Sequence, residues 1–585
     1  MKRTAMITVA SLMMLTACNN IKEEKMEKPI IYQIFTRIYG NTNTNRQFDG
    51  TIEQNGVGKM ADINDAALQS IADMGFTHVW YTGIIRHAST TNYPFMTHPA
   101  NANVVKGRAG SPYAICDYYD VDPDLAIDVD RRMDEFKALV ERSHKHGLKV
   151  FIDFVPNHIA RNYYSDAQPS RPMLGSNDDK SVSFSTRNNL YYLPGEPFVS
   201  PVSDRDTAYH EEPAAVSGNN AFTNAPSVND WYETVKLNYG VDFNDNQTCY
   251  FDPRPDTWGK MRDILLYWIE ETHIDGFRCD MAEMVPVEFW QWAIGTITTR
   301  YPDVIFMAET YDMNLYRQYI NAGFKLLYDK VNFYDIVRGV TEGKTDAREI
   351  TNIWRRTEGV GRNMVYFLEN HDEQRIASDF FAGDAFRGKA AMLLTSFMGE
   401  GATMVYYGQE LGERGMDNEG FSGSDGRTTI FDYWSADAVS RFVGNDHKYD
   451  GAGLTPDEKN LREWYSDILN LEHRYDAFGY GNLYDLMWVN QDSYERGEKL
   501  YAFLRYTEKE RFIIITNFSE APCQATIRIP EDALKLMGYN NINEKLIFTD
   551  MLGNAGTVAP VTTETVKETG VIATIPAYDG IVLKF

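Results

Sequence analysis

Gly276-Phe277-Arg278-Cys279-Asp280 ends a short β-type run that begins at Ile274, and it sets an arginine and an aspartate two residues apart. Residues two apart on a strand point to the same side. A carboxylate beside a fixed cation stays ionised near neutral pH, because the positive charge favours its charged form. That is the state a nucleophilic carboxylate requires. Cys279 falls on the opposite face, where a thiol packs as a small apolar group. Alone, the pentapeptide describes a structural ion pair as well as a catalytic one.

Three further runs narrow the choice. Val150-Phe151-Ile152-Asp153-Phe154-Val155-Pro156-Asn157-His158 lies upstream. Downstream come Val304-Ile305-Phe306-Met307-Ala308-Glu309 and Met364-Val365-Tyr366-Phe367-Leu368-Glu369-Asn370-His371-Asp372. Each is almost continuously apolar and turns polar only at its carboxyl end. Strands buried on both faces look like this. Carboxylates and histidines gathered at carboxyl ends predict a (β/α)₈ TIM barrel, an α/β fold whose chemistry sits where those ends converge.

In this order the four segments resemble the four signature regions of the alpha-amylase family, glycoside hydrolase family 13. Asp153, Asn157 and His158 match the first region; Gly276, Arg278 and Asp280 the second; Glu309 the third; Asn370, His371 and Asp372 the fourth. Tyr113-Ala114-Ile115-Cys116-Asp117-Tyr118-Tyr119-Asp120-Val121-Asp122-Pro123 and Val405-Tyr406-Tyr407-Gly408-Gln409-Glu410 resemble two flanking segments. The likeness spans roughly residues 30 to 440.

The resemblance implies a retaining glycosidase acting on α-glucosidic bonds of starch-like glucans or maltooligosaccharides. Asp280 would be the nucleophile. Glu309, on an apolar strand tip facing another carboxylate, is expected to keep a proton and serve as acid and then base. Asp372 would hold the hydroxyls of the reacting ring, with Arg278, His158, His371 and Asn370 around it and Tyr113 beneath. Glu283 and Met284 stand where relatives often carry Lys and His on the aglycone side, which leaves acceptor preference open. No organic cofactor is implied. A calcium site is, through Asn157 and the backbone carbonyl at residue 284; the oxygen-rich loop Asn41, Asn43, Asn45 and Asp49 is a second calcium candidate or a solvated turn. A transglycosylase or isomerase would use the same machinery. An inactive glycan-binding lipoprotein would be expected to lack one of the three carboxylates.

The family resemblance also implies a domain plan for a chain of 585 residues. Residues 29–158 and 240–478 are expected to form the barrel, 159–239 an inserted B domain after strand 3, and 479–585 a C-terminal antiparallel β-sandwich. The insertion is rich in Asn, Ser and Pro and carries Tyr163, Tyr164, Tyr191, Tyr192, Phe198 and Trp231, rings that either stack on sugars or form its own core. Ile30 to Arg37, His78 to Gly83 and Lys149 to Val155 read as the first three strands. Asp130 to His146 reads as a helix capped by Gly147, with His144 and His146 suited to its C-terminal dipole rather than to a metal. Asn460 to His473 reads as the last helix. Leu500 to Tyr506, Arg511 to Phe518, Ala525 to Ile529 and Gly570 to Ile575 read as strands of the tail.

The formal charge of −26 repels nucleic acid and anionic lipid, so a neutral substrate is expected. Lys2 and Arg3 precede an apolar run from Ala5 to Leu15, which reads as a signal peptide over residues 1–17. Leu15-Thr16-Ala17-Cys18 resembles a bacterial lipoprotein cleavage box, with Cys18 as the lipid anchor and residues 18–28 as a tether. Lys22-Glu23-Glu24 is similar to surface-export signals, so display on the outer membrane, at the cell surface or on its periplasmic face, is expected for a monomer. The other cysteines, at 116, 249, 279 and 523, show no metal or redox spacing and no disulfide is expected.

Overall fold

The computed structural model describes residues 28–585, apart from Asn445, residues 492–497 and Ile542. The expected signal peptide, Cys18 and the tether up to residue 27 lie outside the described residues. Eight parallel strands close a barrel: β1 (Ile30–Phe35), β2 (His78–Thr82), β3 (Lys149–Phe154), β4 (Gly276–Cys279), β5 (Ile305–Ala308), β6 (Leu326–Tyr328), β7 (Met364–Tyr366) and β8 (Ala402–Tyr406). Each pairs with the next, and β8 returns to β1. The fold class is the one read from the four segments.

Alternation along each strand sorts side chains into two cores. Ile31, Trp80, Phe151, Met307, Tyr328 and Met404 fill the barrel, whereas Tyr32, Val79, Ile152 and Phe306 face outward to the helices. β4 differs from its neighbours, because it turns Gly276 and then Arg278 inward. A Cβ on Gly276 would lie 2.6 Å from the Phe151 ring and 2.3 Å from the Ile305 carbonyl oxygen. Glycine therefore makes room for Phe151 at the level below the arginine.

The helices α1 (Asp65–Asp73), α2 (Arg132–Lys145), α3 (Asp256–Thr272), α4 (Val287–Arg300), α5 (Tyr316–Ala322), α6 (Asp335–Thr341), α7 (Ile350–Arg356), α8 (Lys389–Phe397) and α9 (Pro456–Arg474) follow the strands. α2 begins after a 3₁₀ turn over Val129–Arg131, so the expected start at Asp130 falls inside that turn. At its C-terminal end His144 Nε2 meets Asp275 and His146 Nε2 meets Asp65, each at 2.8 Å. α9 starts one turn earlier than the expected Asn460, because Thr455 and Glu458 form a capping box around Pro456.

Between β3 and α3 the chain makes short ladders instead of a helix. His158–Ala160 pairs antiparallel with Thr234–Lys236, and Tyr192–Leu193 with Ala214–Ala215. Tyr191, Tyr192 and Phe198 are buried: Tyr191 meets Phe184 and Phe222 of the same segment, Tyr192 joins the main core and Phe198 packs with Val104 and Ala214, while Tyr164 meets His98 edge-on.

The tail is β-rich. β9 (Asn482–Asp485), β10 (Leu500–Tyr506), β11 (Arg511–Asn517), β13 (Thr549–Asp550) and β15 (Gly580–Lys584) form an antiparallel sheet in the order β9-β10-β11-β15-β13. A ladder of β12 (Cys523–Ile527) and β14 (Val571–Ile575) lies against β11. β12 runs two residues earlier than the expected Ala525–Ile529, since Pro530 leads into a helix and the Ile529 amide turns to Val566 instead. Arg505 on β10 reaches the barrel, donating to the carbonyls of Met398 at 3.0 Å and Ala477 at 2.9 Å.

Candidate active site

Asp280 and Glu309 each follow the last residue of adjacent strands β4 and β5. The Glu309 amide donates to the Cys279 carbonyl at 3.1 Å, and the Asp280 amide to the Phe154 carbonyl at 2.9 Å, so the ladder itself places the two acids side by side. Arg278, fully buried two residues before Asp280, binds both. Its Nη1 is 2.8 Å from Asp280 Oδ1 and 3.2 Å from Asp153 Oδ1, and its Nη2 is 2.7 Å from Glu309 Oε2. The guanidinium is boxed by the rings of Trp80, Tyr113 and Tyr328 at 5.2–5.6 Å. This packing holds the cation against three carboxylates that would otherwise draw it in different directions.

Met281, next in the chain, adopts φ +41° and ψ +45°. That left-handed turn is unusual for a side chain of its size, and it aims the Met281 amide at Glu309 Oε2, 2.6 Å away. Tyr311 donates its hydroxyl to Glu309 Oε1 at 2.8 Å. Both oxygens of Glu309 are therefore held. Asp280 Oδ2 accepts no hydrogen bond.

Burial pushes the Asp280 carboxyl well above the ordinary carboxylate range; Arg278 opposes this, and the charges of Glu309, Asp153 and Asp372 add to it. The expectation of a carboxylate held low by its own arginine is corrected here. The arginine is in place, but several acids share its one positive charge, and burial outweighs what it gives Asp280. Asp372 behaves in the opposite way. Burial raises it, but His371 alongside, with Arg278 and Arg427, outweighs that and holds it below its usual value.

His371 is fixed from both ring nitrogens: Gln33 Nε2 lies 3.0 Å from Nδ1, and Asp372 Oδ2 lies 3.1 Å from Nε2. Trp80 donates to Asp153 Oδ2 at 3.0 Å and meets the His371 ring edge-on. His158 is kept neutral. Burial and the nearby Lys236 and Lys106 push its pKa down to about 3.

Asp280, Glu309, Asp372, Tyr113, His158 and Trp231 line one cavity of about 320 Å³. Asn370 and Glu283 stand behind it. Asn370 Oδ1 caps the amides of Asp372 and Glu373 at 2.9 and 3.0 Å, and Glu283 Oε2 accepts from the amides of Tyr311 and Asp312. Both orient a loop that carries an acid. Asp153 and Gln33 were not among the expected site residues. Asp153 had a signal, its place in the segment that ends at His158; Gln33, one polar residue in an apolar strand, had none beyond its burial.

The residues expected for calcium do not fit that ion. Lys236 extends its ammonium to Asn157 Oδ1 and, at 3.2 Å, to the Met284 carbonyl. These are the two oxygens expected to bind the metal; the Lys236 side chain already occupies both, and no acidic group alongside supplies the carboxylate a divalent cation favours. Burial brings the Lys236 pKa down to about 7, and no acidic group offsets that shift. In the other loop, Asn41 Nδ2 donates to the carbonyls of Asn55 and Trp434, and Asn41 Oδ1 accepts from the Asn43 amide. Asn43 Oδ1 accepts from the Asn45 amide, and Asp49 pairs with Arg108 and Arg205. The oxygens of Asn41, Asn43 and Asp49 thus serve turns and ion pairs. Among the described residues no group of three or more His, Cys, Asp or Glu could hold a metal.

Residues 33–467 match the family model described as alpha amylase, catalytic domain. A protein named alpha-amylase from Streptomyces lividans is 25% identical over 568 residues, covering 88% of this chain and 55% of its own length. The chain thus spans about half of that relative. A protein named oligo-1,6-glucosidase from Parageobacillus thermoglucosidasius is 21% identical, with 84% of this chain and 90% of that protein covered. Among solved structures, an alpha-amylase from Geobacillus thermoleovorans complexed with acarbose superposes with a TM-score of 0.63 at 18% identity, over 95% of this chain and 98% of the other, a likeness of fold. With the model covering most of the chain and the acids gathered at the strand ends, the protein belongs to the alpha-amylase family of glycoside hydrolases.

Proposed function

We infer that the protein is a retaining hydrolase of α-glucosidic bonds in starch-like glucans or maltooligosaccharides. The observation that carries this reading is the grip of one buried guanidinium on both Asp280 and Glu309 at the wall of a cavity that also holds Asp372. Two acids within the span of one arginine can reach the two sides of a single glycosidic bond.

Asp280 attacks the anomeric carbon as the glycosidic C–O bond breaks, and Glu309, acting as the acid, delivers a proton to the departing oxygen. The resulting glycosyl ester is then hydrolysed: Glu309, now ionised, takes a proton from water, whose oxygen displaces Asp280 and restores both groups. Asp372, held ionised by His371 and Arg427, accepts hydroxyl hydrogen bonds from the reacting ring. His158, neutral, and Tyr113 flank that ring. No step requires a metal from this chain's residues.

The test is chromatography of products from soluble starch, pullulan, maltotriose and trehalose with wild type and Asp280→Asn. Reducing ends are expected from at least one α-glucan, with a loss of roughly three or more orders of magnitude in the variant. Equal turnover by the two proteins would overturn the assignment.

The residue types around Cys18 support a lipid anchor, and Lys22-Glu23-Glu24 supports display at the cell surface. Protease shaving of intact cells is expected to cleave the protein; protection would place it inside.

A further inference from the structure

In the cavity wall beside His158, two segments bring opposite charges together. Lys106 comes from the long connection after β2, and Glu233 immediately precedes the strand Thr234–Lys236 that returns from the insertion. Lys106 Nζ is 3.5 Å from Glu233 Oε2. The glutamate side chain is only 5% exposed, and Oε2 accepts no hydrogen bond. A buried carboxylate oxygen left in that state is a cost to the fold that calls for a ligand-side explanation. Both side chains line the catalytic cavity, as does Trp231, whose ring packs 5.1 Å from that of His158.

The geometry selects a hydroxyl. A ligand hydroxyl lying between the two groups accepts from the ammonium and donates to the carboxylate, satisfying both at once. An anion would meet Glu233 and a cation would meet Lys106, so the pair discriminates in favour of a neutral polyol. Hydroxyls of the reacting ring are taken up by Asp372 and His158 in the reading above, on which this inference rests. We propose that Glu233 and Lys106 form a hydroxyl-binding pair that, with the face of Trp231, holds the sugar ring joined to the one at Asp280.

The experiment compares wild type, Glu233→Ala, Glu233→Gln and Lys106→Met on an aryl α-glucoside, which carries one ring, and on aryl α-maltoside and maltose, which carry two. kcat/KM for at least one two-ring substrate is expected to fall at least about tenfold further than for the one-ring substrate in Glu233→Ala and Lys106→Met, mainly through KM. Glu233→Gln keeps an acceptor oxygen and is expected to recover part of that loss. Because a simple folding defect lowers turnover on every substrate alike, losses independent of ring number would overturn the pair, as would no loss at all. An inert wild type on all three substrates would remove the proposed function and the pair with it, whereas an active wild type with indifferent variants removes only the pair.

Discussion

At the scale of single residues, charge is shared rather than paired. Arg278 serves Asp153, Asp280 and Glu309, and the pentapeptide disclosed only one of those three partners. The others come from neighbouring strands in register, Asp153 opposite Arg278 and Ala308 opposite Cys279. His158 illustrates the same point for pH. Its pKa of about 3 lies far below the ordinary value of about 6.5 for histidine. Between those values the unfolded chain binds a proton that the folded one does not, so His158 lowers stability as pH falls below about 6.5 and contributes nothing to a rate profile above about 5. His158→Gln is therefore expected to reduce kcat/KM by roughly tenfold or more while leaving the acid-limb midpoint in place. Profiles of kcat/KM against pH check this; a shifted midpoint would assign that limb to His158.

At the scale of elements, the return strand Thr234–Lys236 does two things. It pairs with His158–Ala160, and it drives the Lys236 ammonium between the loops that follow β3 and β4. The Lys236 side chain thus joins Asn157, beside His158, to Met284, four residues after Asp280. Chelation with EDTA is expected to leave the melting temperature unmoved, and a fall would restore the calcium reading. Lys236→Met leaves the buried Asn157 Oδ1 without its lysine donor, at about 1–3 kcal/mol. Equilibrium denaturation measures that loss. Most barrel strands were legible because both faces are covered and the apolar runs are unbroken. β6, three residues long, has no such run, and the ladders of the insertion are too short to show a period.

At the scale of the molecule, the barrel and the tail share a core. α8 is buried along almost all of its length, between the barrel on one side and β11 and β15 on the other. Lys28, just before β1, reaches Glu472 on α9 at 2.8 Å and the Ser396 carbonyl on α8 at 2.8 Å. Removing the tail strands would expose Leu393, which packs against Gly580 of β15, to water, at about 1.5–3 kcal/mol. Calorimetry of the whole protein is expected to show one cooperative transition spanning barrel and tail, and a chain ended after residue 479 is expected to aggregate. Two separate transitions would contradict the shared core.

Local order in the chain determined which strands are buried, which carboxyl ends carry acids, and that Arg278 and Asp280 share a face, because a strand's two-residue period links sequence spacing directly to direction. Closure of the barrel decided the rest. Contacts among Arg278, Glu309 and Asp153, the neutral state of His158 and the lysine at the expected metal position depend on groups far apart in sequence brought together in a medium of low polarity. Neither proximity nor desolvation can be read from residue spacing, since both arise only when the packed strands and the insertion exclude water from the same place.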